Sequence, residues 1–254
     1  MSSKGEGGVL LVDIGNSRIK WGLGRGGRVD AGRPLASNLA VLKDDLDRVW
    51  SNVPASSSVV ASNVAGPEIG QRVQEWVERH WGLEIQFVQP EGRAYGVVNG
   101  YENPDKLGVD RWVALVALRK FYPLPACIAD CGTAITVDAL DSGGRHLGGL
   151  IAPGLTLMRQ ALMQRAPGLT LADGTYQGLL ARNTAAAMLS GARQACAGLI
   201  ERTLREIGKL LGCDPHLVLS GGDAQTLATE LSVPYALAPD LVLQGLLIIA
   251  ENTQ

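Results

Sequence analysis

A short apolar run that stops at an acid, then one residue, a glycine and a small polar residue, occurs twice in this chain. Val9-Leu-Leu-Val12 runs into Asp13-Ile14-Gly15-Asn16-Ser17, and Ala126-Cys-Ile-Ala129 runs into Asp130-Cys131-Gly132-Thr133. Apolar residues at alternate places resume after each turn, so both copies read as strand, polar turn, strand. The interval between the copies is too long for a solenoid repeat and points to a duplicated domain whose halves face one another. One such turn alone reads as a polar hairpin with an Asx bond. Two of them can grip one phosphate chain from both sides, because an acid at a strand end holds Mg²⁺ through water, glycine admits a phosphate, and Asn16, Ser17 and Lys20 supply donors.

The rest of the chain alternates between the two periodicities. Leu39, Leu42, Leu46, Val49 and Trp50 fall at helical steps, as do Ile69, Val73, Trp76 and Val77, with strands expected at 58–63 and 83–88. A helix carrying Trp112, Leu115, Val116 and Arg119 ends at the proline-flanked stretch 122–126. The class is α/β, and a division into 1–117 and 118–254 follows from that proline-rich break between Pro104 and Pro125. The second half continues with a glycine-rich strand pair, a helix from Pro153 and an alanine-rich helix from Asn183 to Leu211. A strand at 217–220 and a last apolar helix at 241–250 complete it. The alanines permit close helix approach, internal or between subunits.

Composition removes several functions. Lys+Arg 23 against Asp+Glu 25 leaves a net charge of -2, which gives no basic field for a nucleic acid backbone. The apolar run 241–250 is far short of a membrane span, and the first one stops too soon for a signal-peptide core, so a soluble cytoplasmic protein without nucleic acid or membrane partners is expected. Cys127, Cys131, Cys196 and Cys213 lack zinc-ligand spacing and read as reduced thiols. His80, His146 and His216 are scattered and read as surface or packing residues.

Gly22-Leu-Gly24-Arg-Gly26-Gly27 matches a dinucleotide fingerprint letter for letter, but no helical period follows it. A hairpin turn is the better reading. Gly208-Lys209 precedes a leucine, so no P-loop is present. Ser220-Gly221-Gly222 ends a strand before a helix and reads either as a plain turn or as a flat backbone on which a base can lie. Asp110 and Arg111 open a helix, where the positive end of the dipole favours an ionised carboxylate. On their own they read first as a solvated pair, and equally supply a proton acceptor and a cation for phosphoryl transfer to an alcohol.

The order DxGN(S/T)xxK, DxGT and GG after a strand resembles the acetate kinase, sugar kinase, Hsp70 and actin superfamily. Within it the chain is similar to type III pantothenate kinases, also known as Bvg accessory factor-like proteins. The residues that carry the resemblance are Asp13 to Lys20, Tyr101 with Gly108-Val109-Asp110-Arg111, Asp130 to Thr133, Gly148 to Gly154, and Asn183-Thr184. The resemblance implies two ribonuclease H-like halves around a nucleotide cleft, and Mg-ATP-dependent phosphorylation of pantothenate, the first step towards coenzyme A. It implies that Asp13, Ile14, Gly15, Asn16, Ser17, Arg18, Ile19, Lys20, Gly132 and Thr133 meet the nucleotide and that Asp110 is the base. Tyr101, Gly108, Val109, Asp110, Arg111 and Thr184 would bind pantothenate. Asp130 would hold a monovalent cation, K⁺ or NH₄⁺, and the protein would be a homodimer with a shared acceptor site. Two alternatives are a non-catalytic ATP-binding regulator and another small-molecule kinase of the superfamily. The regulator would need no base, so Asp110 beside Arg111 counts against it.

Overall fold

The computed structural model describes residues 8–54, 56–165 and 175–252. The first elements are β1 (Val9–Ile14), β2 (Arg18–Arg25), β3 (Arg28–Ala31), β4 (Leu35–Ala36), α1 (Leu39–Trp50), β5 (Ser58–Asn63), α2 (Pro67–Trp81) and β6 (Ile85–Phe87). A small hairpin, β7 (Arg93–Ala94) and β8 (Val97–Val98), precedes α3 (Val109–Phe121). There follow β9 (Ala126–Cys131), β10 (Ala134–Leu140), β11 (His146–Pro153), α4 (Leu155–Arg165), α5 (Thr184–Leu211) and β12 (His216–Ser220). The chain closes with α6 (Ala224–Ala228), β13 (Ala236–Leu237) and α7 (Leu241–Asn252). Among the described residues no helix is long and apolar enough to cross a membrane.

Two compact units result. Residues 1–120 with 240–254 make one, and 121–239 the other. Each holds a sheet of the same order, β3-β2-β1-β5-β6 and β11-β10-β9-β12-β13. In both, three strands run antiparallel through tight turns, and the first of them pairs in parallel with a strand that returns through a helical crossover. The repeat read from the two acid-glycine turns is therefore a repeat of topology.

The turn within Gly22–Gly27 joins β2 to β3, and its two glycines sit at φ +53° and +72°, the conformation that a two-residue hairpin requires. In the first unit α1 and α2 cover one sheet face, with Trp50 fully buried edge-on to Trp21 and Trp76 and stacked on Trp81. In the second unit Cys127, Ala129 and Cys131 of β9 pack against Ala192, Cys196 and Ile200 of α5. Small side chains on both sides bring helix and sheet close. His146 belongs to the packing class, fully buried with its Nε2 2.8 Å from Asp138 Oδ1.

The last helix differs from the expectation of one cut near residue 117. By its contacts α7 groups with the first unit, so residues 240–254 leave the second half. Its sequence is apolar almost all round, which marks burial without saying against which sheet. Gly245 provides the close approach, since a Cβ there would stand 2.2 Å from the Val113 carbonyl oxygen of α3. That contact also seats the helix whose first turn bears Asp110. Gly245→Ala is expected to destabilise the protein by about 1–3 kcal/mol through overpacking, read as a lowered urea midpoint. An unchanged midpoint would contradict this packing of α7 on α3.

Candidate active site

In open α/β sheets the chemistry collects at the carboxyl ends of parallel strands, where loops leave the sheet. Asp13 is the penultimate residue of β1 and lies in parallel register with Ser62 of β5 and in antiparallel register with Lys20 of β2. Residues paired in register share a sheet face, so the side chains of Asp13, Ser62 and Lys20 leave the sheet on the same side. Ser62 Oγ, fully buried, donates to Asp13 Oδ1 at 2.9 Å and orients the carboxylate. The Gly15 N–H closes the following turn on the Arg18 carbonyl at 3.1 Å, leaving Asn16, Ser17 and Arg18 exposed. Ile14 and Ile19 are fully buried in the core, so only their backbone is available to a ligand.

The same unit assembles Tyr101, Gly108, Val109, Asp110 and Arg111. Asn99 Oδ1 accepts from the Tyr101 N–H at 3.0 Å, while its amide donates to the carbonyls of Glu91 and Pro104, fixing the polar loop before α3. Arg111, only 7% exposed, donates from Nη1 to the Tyr101 hydroxyl at 2.7 Å and lies 5.5 Å from the ring centroid. A buried guanidinium held this way is preorganised for a carboxylate or phosphate. Asp110 is half-buried in the first turn of α3, its Oδ1 accepting from the Arg111 N–H at 2.8 Å. A Cβ on Gly108 would stand 2.8 Å from that oxygen. A cavity of about 320 Å³ opens beside Val109, lined also by Asn63, Gln71, Phe87 and Gln89.

In the second unit Asp130 is the penultimate residue of β9, in parallel register with Ser220 of β12. Gly132 and Thr133 form the turn into β10, with the Thr133 carbonyl accepting from the Gly154 N–H at 2.9 Å. Gly154 admits no side chain, as a Cβ would meet the Gly132 carbonyl at 2.2 Å. Gly221, at φ +91°, lays its backbone on the end of β9, and the Asp223 N–H donates to the Cys131 carbonyl at 2.9 Å. Burial pushes the Cys131 thiol up, helped by the charges of Asp130 and Asp223, so it stays protonated at neutral pH. Burial and Asp138 likewise push Cys127 up to about 12. Thr184 is exposed as the first residue of α5, which Asn183 caps by accepting from the Ala186 N–H at 2.9 Å.

A cavity of about 1040 Å³ lies at the other end of β12, beside His216, Pro215 and Tyr235 of the second unit. None of the motif residues lines it, so size does not mark the chemistry here. Among the described residues no three His, Cys, Asp or Glu side chains are grouped to hold a metal. Ser62 is the functional residue that motif reading missed. Its one signal is position: it precedes the loop after a strand, as Ser220 does in the other unit.

The family model of type III pantothenate kinases matches residues 9–206. A type III pantothenate kinase of Nitrosococcus oceani is 37% identical over 256 residues, covering 96% of this chain and 94% of its own. One of Aromatoleum aromaticum is 40% identical over 245 residues, covering 96% and 98%. Among solved structures, a Baf-family protein of Campylobacter jejuni superposes with a TM-score of 0.60 at 20% identity over 96% of this chain and all of that one. MreB 5 of Spiroplasma citri, bound to AMPPNP, gives 0.53 at 10% identity over 98% and 97%. The two structures share the fold, the actin-like ATPase architecture of paired sheets, and the sequence relatives extend over nearly the whole length. The strand-end acids, the Tyr101–Arg111 pair and the full-length relatives lead to one conclusion: this chain belongs to the type III pantothenate kinase family.

Proposed function

We infer that the chain transfers the terminal phosphoryl group of ATP to the primary hydroxyl of pantothenate, the first step towards coenzyme A. The observation that carries this reading is the buried Arg111, held by the Tyr101 hydroxyl at the start of α3 next to Asp110. Phosphoryl transfer through a loose transition state asks for alignment, a proton acceptor and neutralised phosphate charge. The Asp110 carboxylate takes the hydroxyl proton as the oxygen attacks phosphorus. Arg111 fixes the acceptor by its carboxylate through paired N–H donors. Each strand-end turn offers phosphate its own donors: backbone N–H groups, hydroxyls and the Lys20 ammonium at Asp13 to Lys20 in the first unit, and backbone N–H groups and a hydroxyl at Gly132-Thr133 in the second. Asp13, oriented by Ser62, would help hold the Mg²⁺ that comes with ATP, which would supply neutralisation of phosphate charge. A monovalent cation, K⁺ or NH₄⁺, binds at Asp130. Four free thiols, three of them buried, support a cytoplasmic setting.

The active protein is a homodimer whose acceptor site is completed by Thr184 of the second copy. Supporting this, the second unit exposes Leu147 and Ile151 on β11, an edge strand of its sheet, Leu157 and Leu162 on α4, and Leu179 and Leu180 shortly before Thr184. An unprotected apolar edge needs a cover, and a two-fold contact covers it twice with one patch.

Asp110→Asn is expected to keep the fold and ATP binding while turnover falls by about 10²–10⁴, measured as pantothenate-dependent ADP release. Near-normal turnover would overturn the base assignment. Mixing Asp110→Asn chains with chains carrying an inactivating Thr184 substitution is expected to restore activity, because mixed dimers contain one intact site. If every mixture stays as inactive as its parents, the acceptor site lies within one chain.

A further inference from the structure

The two units place a serine at the same point. In the first, Ser62 lies in parallel register with Asp13, and its buried hydroxyl donates to Asp13 Oδ1 at 2.9 Å. In the second, Ser220 lies in parallel register with Asp130 and is equally buried, at 0% exposure, but its Oγ has no hydrogen-bond partner. The difference follows from Gly221. Its positive φ lays its Cα against the end of β9, where a Cβ would come within 2.5 Å of Asp130 Oδ1. That carboxylate oxygen is turned to the glycine backbone and not to the serine beside it.

A hydroxyl buried without a partner is costly, and one that sits on the same sheet face as an acid, at the ligand end of the strand, has a specific use. Asp223 adds a second acidic residue at this end, its N–H donating to the Cys131 carbonyl at 2.9 Å. Two like charges so placed favour a cation between the strand ends. A lone pair on Oγ serves K⁺ as an oxygen ligand and NH₄⁺ as an acceptor.

We propose that Ser220 Oγ is a direct ligand of the monovalent cation at Asp130, so that the cation gives Ser220 the partner that Asp13 gives Ser62 in the first unit. The inference rests on the assignment of that cation to Asp130. It makes Ser220 a cation-binding residue, distinct from the phosphate-binding turn at Gly132-Thr133.

Thermal melting of the full chain with Mg-ADP, titrated with KCl and balanced by choline chloride at constant ionic strength, tests it without recourse to turnover. Wild type is expected to gain melting temperature saturably with K⁺, and Asp130→Asn to show no gain. Ser220→Ala is expected to need at least about tenfold more K⁺ for half its gain, the effect of one lost ligand, while melting in choline no lower than wild type, since it removes a partnerless buried hydroxyl. If Ser220→Ala responds to K⁺ as wild type does and Asp130→Asn does not, the ligand assignment of Ser220 fails and that of Asp130 stands. If Ser220→Ala melts lower by the same amount in choline and in K⁺, its role is packing and the proposal fails. If wild type shows no gain, or Asp130→Asn gains as much, the Asp130 site itself is wrong and the proposal falls with it.

Discussion

Two parallel strand pairs, β1 with β5 and β9 with β12, carry the rest of this structure. A parallel pair cannot be closed by a tight turn, so a helical crossover must follow and the strand ends are left as the start of loops. Side chains at those ends meet neither the apolar layer of the sheet nor bulk water fully. Asp13 and Asp130 occupy that position, and each is met in register by a serine.

The duplicated sheets do not carry duplicated chemistry. The first unit adds the polar loop at Asn99–Asn103 and the nearly all-buried helix α3, which puts a guanidinium and a carboxylate at one helix start. Arg111 is tolerated at 7% exposure because the Tyr101 hydroxyl accepts from it and the ring lies beside it. The second unit instead adds the edge strand β11, the helix α4 with only Leu155 buried, and the long α5. Several apolar side chains of these elements, among them Leu147, Ile151, Leu157 and Leu162, are exposed.

Much of this was legible in the sequence because its causes are local. The Asp-x-Gly turns, the helical spacing of Leu42, Leu46 and Trp50, and the glycine pair at 26 and 27 act through neighbours in the chain. The hairpin β7–β8 was not read. Its turn uses Tyr95 at φ +52° before Gly96, and a tyrosine gives no turn signal. The grouping of α7 was missed because Leu241 to Ala250 has no polar stripe to orient it. The Ser62–Asp13 bond depends on strand register across 49 residues, and the partnerless Ser220 on the backbone angle of Gly221. Neither property is encoded by spacing. Family resemblance supplied the substrate and the roles of Asp110 and Thr184, which residue types alone left open between a site and a solvated pair or a helix cap.

The central claim is that the charge arrangement on α3 and at the strand ends transfers phosphoryl to a particular alcohol. The most direct measurement is the stoichiometry of the reaction, following ADP release together with phosphorus–proton correlation spectra of the acceptor. The account predicts one phosphate ester on the primary hydroxyl of pantothenate for each ADP formed, and negligible ADP without pantothenate. ATP binding with no ester formed, or ADP release indifferent to pantothenate, would contradict it.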